Sequence, residues 1–402
     1  MIKNVPAAEL ASLYRNTLLH DVAPFWIKHS LDNTHGGYFT CLDRSGKIYD
    51  TDKFSWLQAR QIYMFARLHN AVDHNQQWLD IATSGINFLD KYGRDDHGNY
   101  YFSLTREGKP LTKAFNIFSD CFAALAYHEY AKATASEQAM VKAKEAFDHF
   151  LDRRNNPKGT LEKTTGNRPL RNFGISMMTA YLAFQMETVI GRASAEKLYD
   201  ECILNIFDEH YDESKGIIRE YVDLHGNFLD TYEGRLINPG HGIEAMWFLM
   251  DVAVRLNRKD LIDRSVDICL QILNYSWDQA HGGIYYFMDA KGAPPQQLEH
   301  DQKLWWVHLE ALIALSRAWL LTDRRDVMEW YHKVHHYTWQ HFPDPEHGEW
   351  YGYLSREGKP HLDLKGGKWK GFFHVPRALL ECANNFDQIK DRLLPRNLPS
   401  LL

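Results

Sequence analysis

Hydrophobic and polar positions along this chain follow two periods that keep trading places. Short stretches such as YFTCLD, YYFSLT, IYYFMD and WYGYLS interleave aromatic with polar residues and then run into a glycine turn, DRSGK or REGK. Alternation at a period near two, closed by such a turn, predicts a β-hairpin or an extended loop. The longer stretches have the spacing of helices. FSWLQARQIYMFARLHNAV, with Trp56, Ile62, Met64 and Phe65, is apolar with few charges, as in a helix buried on most sides. NQQWLDIATSGINFLDKYG sets Trp78, Ile81, Ile86 and Phe88 toward one side and leaves Asp80, Asp90 and Lys91 to water.

The combination recurs. Clear copies of the hairpin string begin at His35, His97, His281 and His347, and weaker ones at Asn156 and Ser214. With Gly36, Gly98, Gly159, Gly216, Gly282 and Gly348 as markers, the spacings are 62, 61, 57, 66 and 66 residues. A fixed period of this kind signals a repeat architecture. Six units with two helices each predict twelve helices, alternately well buried and half-exposed. Such helices close as an inner and an outer ring, an all-α (α/α)6 barrel with short β-hairpin loops at one end, or stack as an open solenoid. Closure is favoured because polar residues open the well-buried helices and the last repeat is among the most regular, where an open array needs a polar cap. No Pro-, Ser- or Gly-rich linker cuts the chain, so residues 1–402 are expected to form a single (α/α)6-barrel catalytic domain.

Composition removes several function classes. The 402 residues carry 46 Lys+Arg against 52 Asp+Glu, a net charge of −6, which argues against a nucleic-acid surface. No window approaches 18 uninterrupted apolar residues and the first residues lack the apolar stretch of a signal peptide, so a cytoplasmic protein without a membrane span is expected. The five cysteines, Cys41, Cys121, Cys202, Cys269 and Cys382, are widely spaced with no CxxC and read as buried small hydrophobes. No serine elbow, phosphate loop or dinucleotide fingerprint is present.

The candidate chemistry falls at one place in the repeat. Counted from the marker glycines, Arg60 lies 24 residues on, His241 25, and His308 and His374 26 each. That level is the opening turn of the inner helices. His241 and Glu244, Trp305 and His308, and His374 and Arg377 are three apart, so each pair shares a helix face. The expected site is a barrel mouth lined by two or three of the imidazoles His241, His308 and His374, the guanidinium groups of Arg60 and Arg377, the carboxylates Glu244 and Glu310, and large rings such as Trp305. An imidazole takes and gives protons near neutral pH, which suits moving a C–H proton beside a carbonyl, and a guanidinium holds the oxyanion that forms. His241-Gly-Ile-Glu244 offers only two metal ligands on one face, so no metal site is expected. His35, His97, His281 and His347 read as turn formers. His20, His69, His128, His332 and His335 read as surface or packing residues.

Longer strings carry a resemblance. FWIKHSLDNTHGGYFTCLDRSGKIYD, WLQARQ, NPGHGIEAMWF, QLEHDQKLWWVHLEA, FPDPEHGEWYGYLSREGK and KGGKWKGFFHVPRAL are similar to those of the N-acylglucosamine 2-epimerase family, through nearly the whole chain. The resemblance implies an isomerase, usually a homodimer, that interconverts N-acetyl-D-glucosamine and N-acetyl-D-mannosamine through an enediolate at C2. It implies no metal or redox cofactor, with ATP as an allosteric activator. It places His241 and His374 as acid and base, and Arg60, Glu244, His308, Glu310 and Arg377 on the substrate. Ile175-Ser176-Met177 departs from the Val-Pro-Met of relatives acting on N-acetyl sugars. A 2-epimerase or aldose–ketose isomerase for glucose and mannose, or for a disaccharide such as cellobiose, is therefore the alternative. A glycoside hydrolase using Glu244 and Glu310, and a partner-binding scaffold, are the readings from other classes.

Overall fold

The computed structural model describes residues 6–393 apart from 115, 157, 160 and 161, so part of the third hairpin copy, at Asn156, lies outside the described residues. Six well-buried helices, Ser55–Ala71, Phe118–Thr134, Phe173–Gln185, Pro239–Leu256, Trp305–Thr322 and His374–Leu393, form the inner layer and are called the first to sixth inner helices below. The outer layer starts with Ala7–Thr17, which passes through a π-helical turn, Leu18–Val22, into Ala23–His29. It continues with Gln76–Tyr92, Glu137–Arg153, Arg192–Leu204, Lys259–Ser276 and Arg325–His341. The two layers differ as the sequence pattern demands. In the fifth inner helix every residue from Trp305 to Ser316 is buried, whereas the outer helix Gln76–Tyr92 buries only the stripe through Trp78, Ile81, Ile86, Phe88 and Leu89. Side-chain caps start the outer helices where they should: Asn75 accepts from the Gln77 N–H and Ser136 from the Ala139 N–H.

Successive inner helices pack side by side from the first to the sixth, and side chains of the first helix meet those at and just before the sixth. Phe65 stacks on Phe372 with ring centroids 4.6 Å apart, and Arg67 lies 3.5 Å from Glu381. The ring is therefore closed, and the solenoid alternative does not apply. The β-structure closes in the same sense, since the second, fourth, fifth and sixth hairpins each pair with the segment leading into the preceding inner helix. Lys53 is opposite Leu104, Arg171 opposite Val222, Leu236 opposite Asp289, and Lys303 opposite Leu354. The first hairpin completes the circle by accepting the Lys365 and Gly366 N–H groups on the Leu42 carbonyl, at 3.0 and 3.2 Å.

All six marker glycines have φ between +52° and +84°, so the repeat is held by a left-handed turn that favours glycine. The turn itself is made by an aspartate just before each clear glycine: Asp32, Asp95, Asp278 and Asp344 each accept a backbone N–H two residues on. The histidines expected to form these turns only follow that aspartate. Three of the aspartates also hold a fully buried lysine and an arginine. Asp32 binds Lys53 and Arg106, Asp278 binds Lys303 and Arg356, and Asp344 binds Lys365 and Arg44, all within 3.1 Å. All five cysteines are free and buried.

One turn breaks the glycine rule. Glu349 stands where two of the other clear copies have Gly37 and Gly283, and it keeps φ at +55°. Its buried carboxylate accepts from Trp26 Nε1 at 2.8 Å and from Lys370 Nζ at 2.7 Å, tying the last hairpin to the first outer helix and to the segment that leads into His374. Glu349→Gly relieves a left-handed strain of about 1–2 kcal/mol. Stripping buried Lys370 of its carboxylate costs about 3–5 kcal/mol. The variant is expected to be less stable overall, and a guanidinium melt with a raised midpoint would contradict that.

Candidate active site

The inner helices open toward the ring of hairpins, and their first turns carry the polar side chains that the barrel axis gathers. Asn238 caps the fourth inner helix by accepting the His241 N–H, which fixes His241 in its first turn. His374 is the first residue of the sixth inner helix, with Arg377 one turn on.

At the centre, Arg377 Nη2 donates to Glu244 Oε1 at 2.5 Å and to Glu310 Oε1 at 2.6 Å. Glu310 also accepts from His374 Nδ1 at 2.8 Å and, through its other oxygen, from Trp247 Nε1 at 2.9 Å. Ligand atoms of Glu244, Glu310 and His374 lie within 4.8 Å of one another, close enough to suggest a metal triad. The guanidinium of Arg377 supplies the positive charge between the two carboxylates instead.

On the other side of His374, Arg60 Nη1 lies 3.4 Å from Nε2. Arg60 is boxed by aromatic faces, with its guanidinium carbon 4.0 Å from the Phe122 ring centre, 4.3 Å from Trp56 and 4.4 Å from Phe373. Among the described residues no carboxylate lies within ion-pair distance of it. Burial, and then the neighbouring Arg377 charge, lower its pKa to about 9. A buried cation stabilised mainly by ring faces is a ready partner for an oxyanion. Its Nε and the indole N–H groups of Trp56 and Trp305 have no hydrogen-bond partner among the described residues.

The two imidazoles sit in opposite fields. Burial, with the Arg60 and Arg377 charges added, pushes the His374 pKa well below that of an ordinary imidazole, so the ring is neutral. Burial works the same way on His241, but the charge and hydrogen bond of Glu220 overcome it, with Glu244 adding to the effect, and its pKa is raised. His241 Nδ1 lies 3.1 Å from both Glu220 oxygens. Between the two rings stands the Trp306 indole, 5.3 Å from His241 and 5.8 Å from His374 by ring centroids.

The structure thus brings together Arg60, His241, Glu244, Glu310, His374 and Arg377, with the Trp305 ring centroid 6.3 Å from that of His374. It does not bring His308. That ring is fully buried on the side of the outer helix Arg325–His341, stacked on Tyr337 at 5.3 Å. Its Nδ1 donates to the Leu304 carbonyl and its Nε2 accepts the Ile284 N–H, so both nitrogens are committed to backbone and no substrate role remains. Burial drives its pKa down to about 3. An equal count from the marker glycine does not fix a direction, because each residue turns the helix by about 100° and the inner helices start at different counts. Ser176 likewise faces the outer layer, where its hydroxyl accepts from Asn205 at 3.4 Å.

Sequence reading missed Glu220 and left Trp306 among many rings. The signal for Glu220 was present: four residues after the marker glycines the clear copies have Thr40, Phe102, Tyr286 and Gly352, none of them charged, whereas the two weaker copies have Lys163 and Glu220.

The profile of the family described as N-acylglucosamine 2-epimerase (GlcNAc 2-epimerase) matches residues 37–378. The N-acylglucosamine 2-epimerase of Mus musculus is 38% identical over 392 residues, covering 95% of this chain and 93% of the mouse protein. That of Homo sapiens is 36% identical, covering 98% and 97%. Among solved structures, the cellobiose 2-epimerase from Bacillus thermoamylovorans B4167 superposes with a TM-score of 0.81 at 20% identity, covering 94% of this chain and 99% of that one, a likeness of fold. The chain belongs to the N-acylglucosamine 2-epimerase family, whose members are isomerases.

Proposed function

We propose that this barrel is one catalytic unit that epimerises N-acetyl-D-glucosamine and N-acetyl-D-mannosamine at C2. The observation that carries the reading is a pair of imidazoles at one end of the barrel axis, each with Nδ1 on a carboxylate, His374 beside the Arg60 and Arg377 guanidinium groups and His241 beside Glu220. Ring opening exposes the C1 aldehyde, which makes the C2 proton acidic. His374, neutral and with an unprotonated Nε2 that meets Arg60 Nη1 at 3.4 Å, removes that proton as the base. The electron pair of the C–H bond moves into an enolate, because C2 carries the acetamido nitrogen, and Arg60 faces the C1 oxygen that takes the negative charge. His241, carrying a proton, delivers it to the opposite face of C2. Glu310 and Arg377 hold the His374 ring, and the unpartnered donors of Trp56, Trp305 and Arg60 are available to sugar oxygens.

The sign of the pH dependence follows from the same fields. The lower limb belongs to His374 and falls well below pH 6.5, while the upper limb belongs to His241 and lies above it. A kcat/KM profile with its maximum around pH 6.5 or a little above, falling on both sides, is expected; a maximum confined to alkaline pH would contradict the assignment.

Side-by-side assays with N-acetylmannosamine, mannose and cellobiose, read by proton NMR, test the substrate. One observation favours the disaccharide reading: Trp369 is 53% exposed and its ring lies 5.9 Å from Trp56 at the rim, where an added sugar ring would stack. Preference for cellobiose over N-acetylmannosamine would move the assignment there. The hydrolase reading loses support because Glu244 and Glu310 are both engaged by one guanidinium nitrogen.

The finer expectations of a homodimer activated by ATP rest on the resemblance, and that of a cytoplasmic protein on the absence of a long apolar stretch in the sequence. No described helix is long and apolar enough to cross a membrane. Sedimentation, and turnover with and without ATP, test the dimer and the activator.

A further inference from the structure

We propose that Glu220 is a positioning residue that gives His241 its tautomer and its charge, and through them its role as the acid. The inference rests on the two-histidine reaction proposed above. Both imidazoles point Nδ1 at a carboxylate, His374 at Glu310 and His241 at Glu220, so both carry the proton on Nδ1 and turn Nε2 away from it. The two carboxylates are otherwise unlike. Glu310 shares its charge with Arg377 and accepts from Trp247 as well, and Arg60 stands on the far side of His374. The Glu220 side chain accepts no other hydrogen bond and has no lysine or arginine within 4 Å among the described residues. Its charge is also felt by His210, Tyr221 and Tyr286, but His241 is the one side chain it hydrogen-bonds among the described residues.

Glu220 is also held rigidly. Its N–H donates to the Leu236 carbonyl at 3.2 Å and its carbonyl accepts the Phe173 N–H at 2.9 Å, so it is strapped between the segments that start the third and fourth inner helices. The groups facing His241 are Glu220 from this hairpin, Glu244 on its own helix, the Trp306 ring from the fifth inner helix and His374 from the sixth. Of these, only Glu220 and Glu244 favour a charged ring, and Glu244 is bound to Arg377.

The proton balance shows why this matters. Each turnover leaves the abstracted proton on His374 and takes one from His241, so the enzyme is restored only when His374 releases a proton to water and His241 regains one. Arg60 and Arg377 favour the release, and Glu220 favours the recovery.

The test is Glu220→Gln, which still accepts the Nδ1 proton but carries no charge. The His241 Cε1–H resonance, assigned by its loss in His241→Asn, is expected to titrate at least about one pH unit lower in the variant. The upper limb of kcat/KM should move down with it, kcat at pH 7.5 should fall about 10–100-fold, and KM should change little. Glu220→Gln in the His241→Asn background should add no further loss. An unmoved titration and an unmoved upper limb would overturn the proposal, as would a loss confined to KM. The titration needs no turnover: a lowered midpoint in a protein that epimerises no sugar would sink the proposed reaction while leaving Glu220 as the residue that charges His241.

Discussion

His374→Asn is expected to lower epimerisation by about 10³–10⁴-fold while leaving the fold in place. The activity loss follows from position: His374 is the neutral imidazole, its Nδ1 is tied to Glu310, and Arg60 stands at Nε2, so no other base is placed to take over. The fold survives because the charged core of the network does not depend on this ring. Glu310 keeps Arg377 and Trp247, and the new side chain is shorter and polar at the first residue of a helix, a place that tolerates asparagine. Circular dichroism and the melting midpoint should stay near those of the unaltered protein. Combining His374→Asn with His241→Asn should cost little more than either alone, since acid and base act as one unit. Residual turnover within tenfold of the unaltered protein would remove His374 from the base role.

Arg377→Met should be the substitution most damaging to stability, by about 3–5 kcal/mol. Methionine fills comparable space, so packing is not the main loss. What remains is two carboxylates, Glu244 and Glu310, buried within a few ångströms of each other with their shared cation gone. Their repulsion also reaches His374 through Glu310, so turnover should fall with stability. Adding Glu244→Gln removes one of the two charges and should restore part of the melting midpoint without restoring activity. If Arg377→Met melts like the unaltered protein, the central ion network does not hold the barrel mouth together as described here.

The barrel was legible in the sequence because one physical constraint repeats six times. A left-handed turn favours glycine, and Gly36 to Gly348 mark it at nearly even spacing, so the repeat, the helix count and the mouth could be read before any contact was known. The site was legible in part. Arg60, His241, Glu244, Glu310, His374 and Arg377 converge as the spacing suggested, but His308 does not, because counting along the chain fixes a level and leaves the rotation of the helix free. Glu220 escaped for a related reason: it reaches His241 across 21 residues from a hairpin, and a weakly matching copy of the repeat hid its alignment. The Asp–Lys–Arg clusters under the first, fifth and sixth hairpins also escaped, since each gathers its members from two hairpins and the segment before a helix. Charge state is the part the sequence could not carry. Nothing in the strings HGIE and FHVPR says which imidazole is neutral; that depends on Arg60 and Arg377 around one and Glu220 beside the other.

The central claim, that two histidines pass a proton through C2, is tested most directly by incubating the protein with N-acetyl-D-mannosamine in D₂O and following proton NMR. The account predicts N-acetylglucosamine carrying deuterium at C2, and its loss in His374→Asn. An epimer that keeps its original C2 proton would contradict it, because the bond that the two imidazoles are placed to break would never have been broken to solvent.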